Sequence, residues 1–237
     1  SYDLAASLHN LAASLSQHAA TLPLEARCRT FQQAAGVLEA LAELAASARW
    51  AGLATADMRA DSLDAMRAIM LAQAQRCVYD KAAERGCTAQ TMETLASETA
   101  ALYAAAASSV RSAVGAPGAS LSASLARDWS AVPQCCALLF ESLAQTHAAS
   151  THAAAAQYGS QVARLRHAVQ QAETAARLAP PSLAHFFDGE RAAVATELAT
   201  AERDNGTIYF ERVPALNALP ACKRSRERMV RALPPPW

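Results

Sequence analysis

The chain has 237 residues, 52% of them hydrophobic and 18% charged, enough to bury a sizeable core as one large domain or two small ones. Its 21 basic and 21 acidic side chains cancel, so the basic excess that marks a nucleic-acid binder is missing. No apolar run reaches the length of a membrane span, and no signal peptide opens the chain. Alanine makes up roughly a quarter of the residues, well above ordinary usage. With 8 Gly and 5% aromatics, helix propensity is high and the strand signal poor. The fold class is therefore all-α. Ser1 lies inside an amphipathic pattern, which reads as a fragment of a longer protein.

Leu4, Leu8, Leu11, Leu15 and Leu22 mark a first helix that stops near Pro23. A second runs from Leu24 to about Arg49, with Phe31, Ala35, Leu38, Ala42 and Ala45 on its apolar stripe; Gly36 in its middle invites close approach of a neighbour. Trp50–Asp61 reads as a connection, and Asp61 or Ser62 caps the third helix, which reaches Arg85 and ends at Gly86. In that helix Met66, Met70, Gln73 and Cys77 share one face, and Leu71, Ala74, Val78 and Ala82 an adjacent one. A helix apolar on two neighbouring faces is sandwiched between others. Thr88 opens a fourth helix carrying Met92, Leu95, Thr99, Leu102 and Ala106.

Gly115–Ser120, GAPGAS, is the clearest internal loop. From Leu125 to about Leu178 the period is helical, with Pro133 expected close to a helix start and Gly159 at a bend. Pro180-Pro181 breaks the pattern, and Ser182 begins a helix through Phe187, Val194 and Leu198 that Asp204-Asn205-Gly206 ends with a turn. Thr207–Trp237 reads as extended and proline-punctuated, inserting Ile208 and Phe210 into a groove and keeping Glu211 and Arg212 outside.

Chemistry is sparse. The chain has no nucleophile elbow, phosphate loop, dinucleotide fingerprint or paired-histidine zinc motif. His147 and His152 are five apart, a poor spacing for two ligands on one helix face. The six cysteines form no CxxC pair and read as free thiols in a reducing compartment. No enzyme, cofactor or metal site is expected. Two features remain. Lys223–Arg231, KRSRERMVR, is a basic cluster that reads as a solvated tail, with an acidic lipid or partner helix as the functional alternative. Tyr209 is a candidate phosphorylation site, since added charge there would disturb docking of its segment.

Five segments in order resemble one family. IMLAQAQ at 69–75 followed by Lys81-Ala82, FQQAAGVL at 31–38, LASETAALY at 95–103, YGSQVARLRHA at 158–168 and IYFERVP at 208–214 are similar to the motifs of the Bro (BRO-one) domain of ESCRT-associated adaptors. The resemblance covers essentially the whole chain. It implies an elongated, boomerang-shaped, tetratricopeptide-like irregular helical solenoid over 1–237, with a helical body at 1–203 and an extended C-terminal strap at 204–237. The family domain's N-terminal β portion is absent.

The activity it implies is non-catalytic: docking of the C-terminal amphipathic helix of an ESCRT-III subunit in a groove on the concave face. The protein would be cytoplasmic and recruited to endosomal membranes through its partners, with no transmembrane segment and no nucleic-acid partner. Carried over by position, the partner-binding patch falls at Val78, Thr91 and Leu95 with Lys81 beside them, and antiparallel neighbours would bring the apolar three together. Val78 is smaller than the family's usual aromatic, Thr91 replaces a larger aliphatic, and a basic patch position falls at Glu25. The alternatives are the same fold serving another partner, such as a small GTPase, or the adaptor domain of a larger phosphatase-like protein.

Overall fold

In a computed structural model of the chain the structure describes residues 2–46, 55–115, 123–225 and 227–235. Seven α-helices run in order through them: α1 Tyr2–Ala19, α2 Leu24–Ala46, α3 Ala60–Glu84, α4 Ala89–Gly115, α5 Ala123–Ala154, α6 Tyr158–Leu178 and α7 Ala184–Asp204. No strand occurs among the described residues, so the all-α reading holds. Residues 50–54 of the Trp50–Asp61 connection and 116–120 of the GAPGAS loop lie outside the described residues; short 3-10 turns at Ala56–Met58 and Pro181–Leu183 precede α3 and α7. The chain divides into two compact units.

The first unit comprises Ser1–Lys81, Leu102–Pro133 and Glu227–Trp237. The short link at Pro23 turns α2 back on α1, and Arg27 fastens it by donating to the Leu22 carbonyl at 2.9 Å. Their core joins Ala5 and Ala12 of α1 to Val37, Leu38 and Leu41 of α2, with Met58 and Leu63 closing one end. Alanine at the α1 contacts lets the helices approach closely, so long leucines on α2 fill the gap. Asp61 does not cap α3, which already begins at Ala60. Its carboxylate instead accepts from the Ser62 amide at 3.0 Å and from Arg59, which holds its carboxyl below the usual carboxylate range.

The second unit comprises Ala82–Ala101 and Gln134–Arg226. It contains the end of α3, where the Cys87 amide donates to the Ala82 carbonyl and the Gly86 amide to that of Ala83, with Gly86 at φ +64°. That is a Schellman stop on the expected glycine. Thr88 then caps α4, its hydroxyl accepting from the Thr91 amide at 3.3 Å. α6 and α7 pair antiparallel, with Val162 and Leu165 packed against Leu198 and Ala201.

Two helix limits differ from the sequence reading. Pro133 is not near a helix start but the eleventh residue of α5, which begins at Ala123. Its ring forfeits the bond to the carbonyl four residues back, a local cost of about 3 kcal/mol that burial of the surrounding helix offsets. The break in the long helical period falls at Ala155–Gln157 and not at Gly159. There Gln157 donates to His152 O and Ala156 to Ala153 O, the same stop as at Gly86, but with an alanine at φ 53° in the left-handed position.

Candidate functional site

Of the four residues that the resemblance assigns to the patch, Val78 and Lys81 lie near the end of α3 in the first unit, and Thr91 and Leu95 near the start of α4 in the second. Val78 is partly buried against the cluster of Phe31, Cys77 and Val230. Lys81, one turn on, donates to Glu25 of α2 at 3.0 Å. Glu25, at the position where the resemblance expects a basic residue, therefore holds Lys81. In the second unit Thr91 is exposed, with its hydroxyl 3.0 Å from that of Thr88. Leu95 is only 4% exposed and belongs to the core. Leu95 and Thr91 are one helical turn apart, yet one is inside and the other outside.

The tail engages each unit by backbone and capping contacts. In the first, Val230 is buried beside Phe31, the Leu233 amide donates to the Gln32 carbonyl at 3.0 Å, and the Gln32 amide group donates to the Arg231 carbonyl at 3.0 Å. Gly36 is the close approach that its position suggested: a Cβ there would overlap the Leu233 carbonyl. Buried Gln75, from the IMLAQAQ motif, reaches Met229 Sδ at 3.9 Å.

In the second unit the YG and IYFERVP motifs meet. Tyr158 stacks on Tyr209 at a centroid distance of 3.4 Å, and the Glu211 carboxylate accepts from the Gly159 amide at 2.8 Å, capping α6. A Cβ on Gly159 would overlap the Arg212 carbonyl. Asn205 exchanges side-chain bonds with the Glu211 backbone at 3.0 and 3.1 Å.

Further on, the guanidinium of Arg164, buried in α6, donates to Gln145 Oε1 at 3.0 Å, to the Pro220 carbonyl and to Cys222 Sγ. Glu93 accepts from the Lys223 amide at 3.0 Å. Neither Arg164 nor Glu93 stood out in the sequence, because a buried charge looks like any surface charge until its partners are known.

The segment after α7 is not extended from its start. Asn205–Tyr209 forms a π-helical turn closed by the Phe210 amide on the Asn205 carbonyl at 2.7 Å, with Phe210 at φ 53°. This turn corrects the insertion of Ile208 and Phe210 into a groove: they are 62% and 73% exposed, and Glu211 is the residue that points inward. The wider turn rotates the apolar pair outward and delivers Tyr209 to Tyr158. The Tyr158 hydroxyl beside it pushes the Tyr209 phenol up.

The cysteines are free thiols. Burial pushes Cys77, Cys135 and Cys222 up to about 11, so they stay protonated at neutral pH. Burial likewise holds His147 below the ordinary imidazole range, with Glu93 opposing. His152 is engaged with Gln157 at 2.6 Å. Among the described residues no group of three or more His, Cys, Asp or Glu side chains is placed to hold a metal ion, and no helix is long and apolar enough to cross a membrane.

These features define an all-α chain whose C-terminal segment packs against the helices within each unit, with several of its distinctive side chains in those contacts. The chain belongs to the BRO1-like domain family, whose sequence profile matches residues 1–236. It is 28% identical over 95% of its length to apoptosis-linked gene 2-interacting protein X 1 of Caenorhabditis elegans, and 30% identical over 88% to ALG-2 interacting protein X of Dictyostelium discoideum. It spans about a quarter of the length of these relatives, 25% and 26%. Among solved structures it is similar to the ALIX BRO1–CHMP4C complex, with a TM-score of 0.81 and 25% identity over 98% of this chain and 63% of that one.

Proposed function

We propose that this chain is a non-catalytic docking module of the ESCRT and multivesicular-body pathway that receives the C-terminal amphipathic helix of an ESCRT-III subunit. The observation that carries the reading is the likeness, over 98% of the chain, to a BRO1 domain solved in complex with CHMP4C. The partner surface is Val78 and Lys81 on α3 with Thr91 on α4, and Leu95 is its inner support, packed under the α4 half. Val78 supplies apolar contact, and Lys81 supplies a charge for an acidic residue of the incoming helix. The module acts on the cytosolic face of endosomes, where its partner brings it to the membrane. Tyr209, 41% exposed, is a phosphorylation site in this reading: a phosphate of about −2 charge would part the Tyr158 stack beside Asp204.

Pull-down with the C-terminal helix of an ESCRT-III subunit tests the reading on wild type and Val78→Asp. Retention by wild type and loss by the variant is expected. No retention by wild type would overturn the partner, and equal retention by both would overturn the patch. A second reading, the same module serving a different partner such as a small GTPase, is favoured by one observation. The α4 half of the patch exposes Thr91 and buries Leu95, leaving little apolar surface there.

A further inference from the structure

A concavity of about 350 Å³ opens between α6 and α7 in the second unit, lined by Tyr158 and Gln161 on one side, by Glu197 and Thr200 on the other, and by Asp204 and Tyr209 at the π-helical turn. It lies apart in sequence from the four patch residues and does not rest on their assignment. Three observations give it a chemical preference.

Its charge is negative: no Lys, Arg or His lines it, and the half-buried Glu197 carboxyl has no hydrogen-bond or ion-pair partner among the described residues. Asp204 is already shared with Arg203 at 2.9 Å, so Glu197 is the uncompensated charge. The aromatic wall is electron-rich. Tyr158 and Tyr209 are nearly parallel, 10° apart with centroids at 3.4 Å, which sets their negative π-faces against each other. Such a sandwich is less favourable than an offset stack, and a cation against the outer face relieves it. Lastly, Ile208 and Phe210 on either side of Tyr209 present an exposed apolar ledge.

An anion would meet two carboxylates here, and a neutral ligand would bury Glu197 further without pairing it. We propose that this cavity receives a lysine or arginine side chain of a partner polypeptide, its cation against the Tyr209 ring and paired with Glu197, its apolar neighbours on Ile208 and Phe210.

The test is NMR titration of the isotope-labelled 237-residue chain with N-acetyl-arginine methylamide and with its neutral isostere, N-acetyl-citrulline methylamide. The arginine probe is expected to give saturable shifts at the amides of Thr196–Thr200 and Tyr209, with a dissociation constant of about 1 mM, and the citrulline probe to bind at least about tenfold more weakly. Glu197→Gln should reduce the arginine affinity to the citrulline level. Tyr209→Leu should weaken it too, and because that change also touches the tail, Glu197→Gln carries the decision.

Equal binding of both probes, unchanged binding to Glu197→Gln, or binding of inorganic phosphate at these amides would overturn the proposal. Much tighter binding of free arginine would overturn the polypeptide occupant, since a side chain within a chain has no free termini. Self-association of the chain that Glu197→Gln abolishes would overturn the separate partner.

Discussion

The ammonium of Lys81 is held by the carboxylate of Glu25 at 3.0 Å, although the two residues are 56 positions apart and lie on different helices. Glu25 is 85% exposed in its side chain, so the pair is a surface one worth at most about 1 kcal/mol to stability. In the proposed docking its weight falls on binding, because an acidic residue of an incoming helix would compete with Glu25 for Lys81. Glu25→Ala is expected to leave the unfolding midpoint nearly unchanged and to tighten partner binding by about two- to fivefold at low salt, an advantage that shrinks as salt screens the pair. Titrations at two salt concentrations check this. Weaker binding by the variant would place Lys81 outside the surface.

The α5–α6 stop offers a stabilising change and its converse. Ala156 holds φ 53°, a position glycine occupies without penalty, so Ala156→Gly is expected to raise stability by about 1 kcal/mol. Gly159→Ala would press a methyl into the Arg212 carbonyl and displace the tail, for a loss of about 1–3 kcal/mol. Gly189, in α7 with nothing near its Cβ position, is the control: Gly189→Ala should gain about 0.5–1 kcal/mol. Urea unfolding of the three variants reads all of these.

Arg164 decides whether the strap stays down. Arg164→Met removes the donors to Gln145 and to the Pro220 carbonyl, leaving the buried Gln145 acceptor unpaired at a cost of about 1–3 kcal/mol. Cys222 reports the outcome. Burial keeps its thiol up at about 11 and Arg164 works against that, so loss of the charge alone would slow alkylation, whereas release of the strap would return the thiol to water. Release is expected to dominate, with Cys222 alkylation rising at least about tenfold while exposed Cys87 stays unchanged. Slower Cys222 modification would show that the strap stays in place without Arg164.

Glu197 gives a pH signature. Burial holds its carboxyl above the ordinary range in the folded chain, so the folded state binds that proton more readily than the unfolded one. The ionised group therefore costs stability at pH above the raised value, and the cost disappears as pH falls below the unfolded value of about 4. Glu197→Gln should be more stable than wild type at neutral pH and converge with it in acid. Thermal midpoints at several pH values check the sign; a variant less stable at neutral pH would mean that Glu197 is paired.

The helical class and most helix ends were legible from local signals: Pro23, Gly86 and Thr88 act at the positions they mark, because turns and caps are read from a few adjacent residues. The resemblance found the family through five segments, and three of them then prove to take part in tail contacts, Gly36 with Leu233 and Gly159 with Arg212. What local reading missed has a physical cause in each case. Ala156 terminates a helix because the chain on both sides over-determines it, whereas the nearby Gly159 is needed for packing and not for a bend. Ile208 and Phe210 look like buried anchors in an extended strand, but one extra residue in the helical turn points them outward. Leu95 falls on a patch position by resemblance but packs in the core, a distinction that residue type cannot make.

The most direct measurement of the docking reading is photo-crosslinking of the ESCRT-III C-terminal helix to the chain. A photoreactive phenylalanine derivative replaces exposed Thr91 in one sample and Gln161, beside the α6–α7 cavity, in another. Capture of the helix from position 91 and none from position 161, abolished at 91 by Val78→Asp, is the predicted result. Capture from neither position, or from 161 alone, would contradict it.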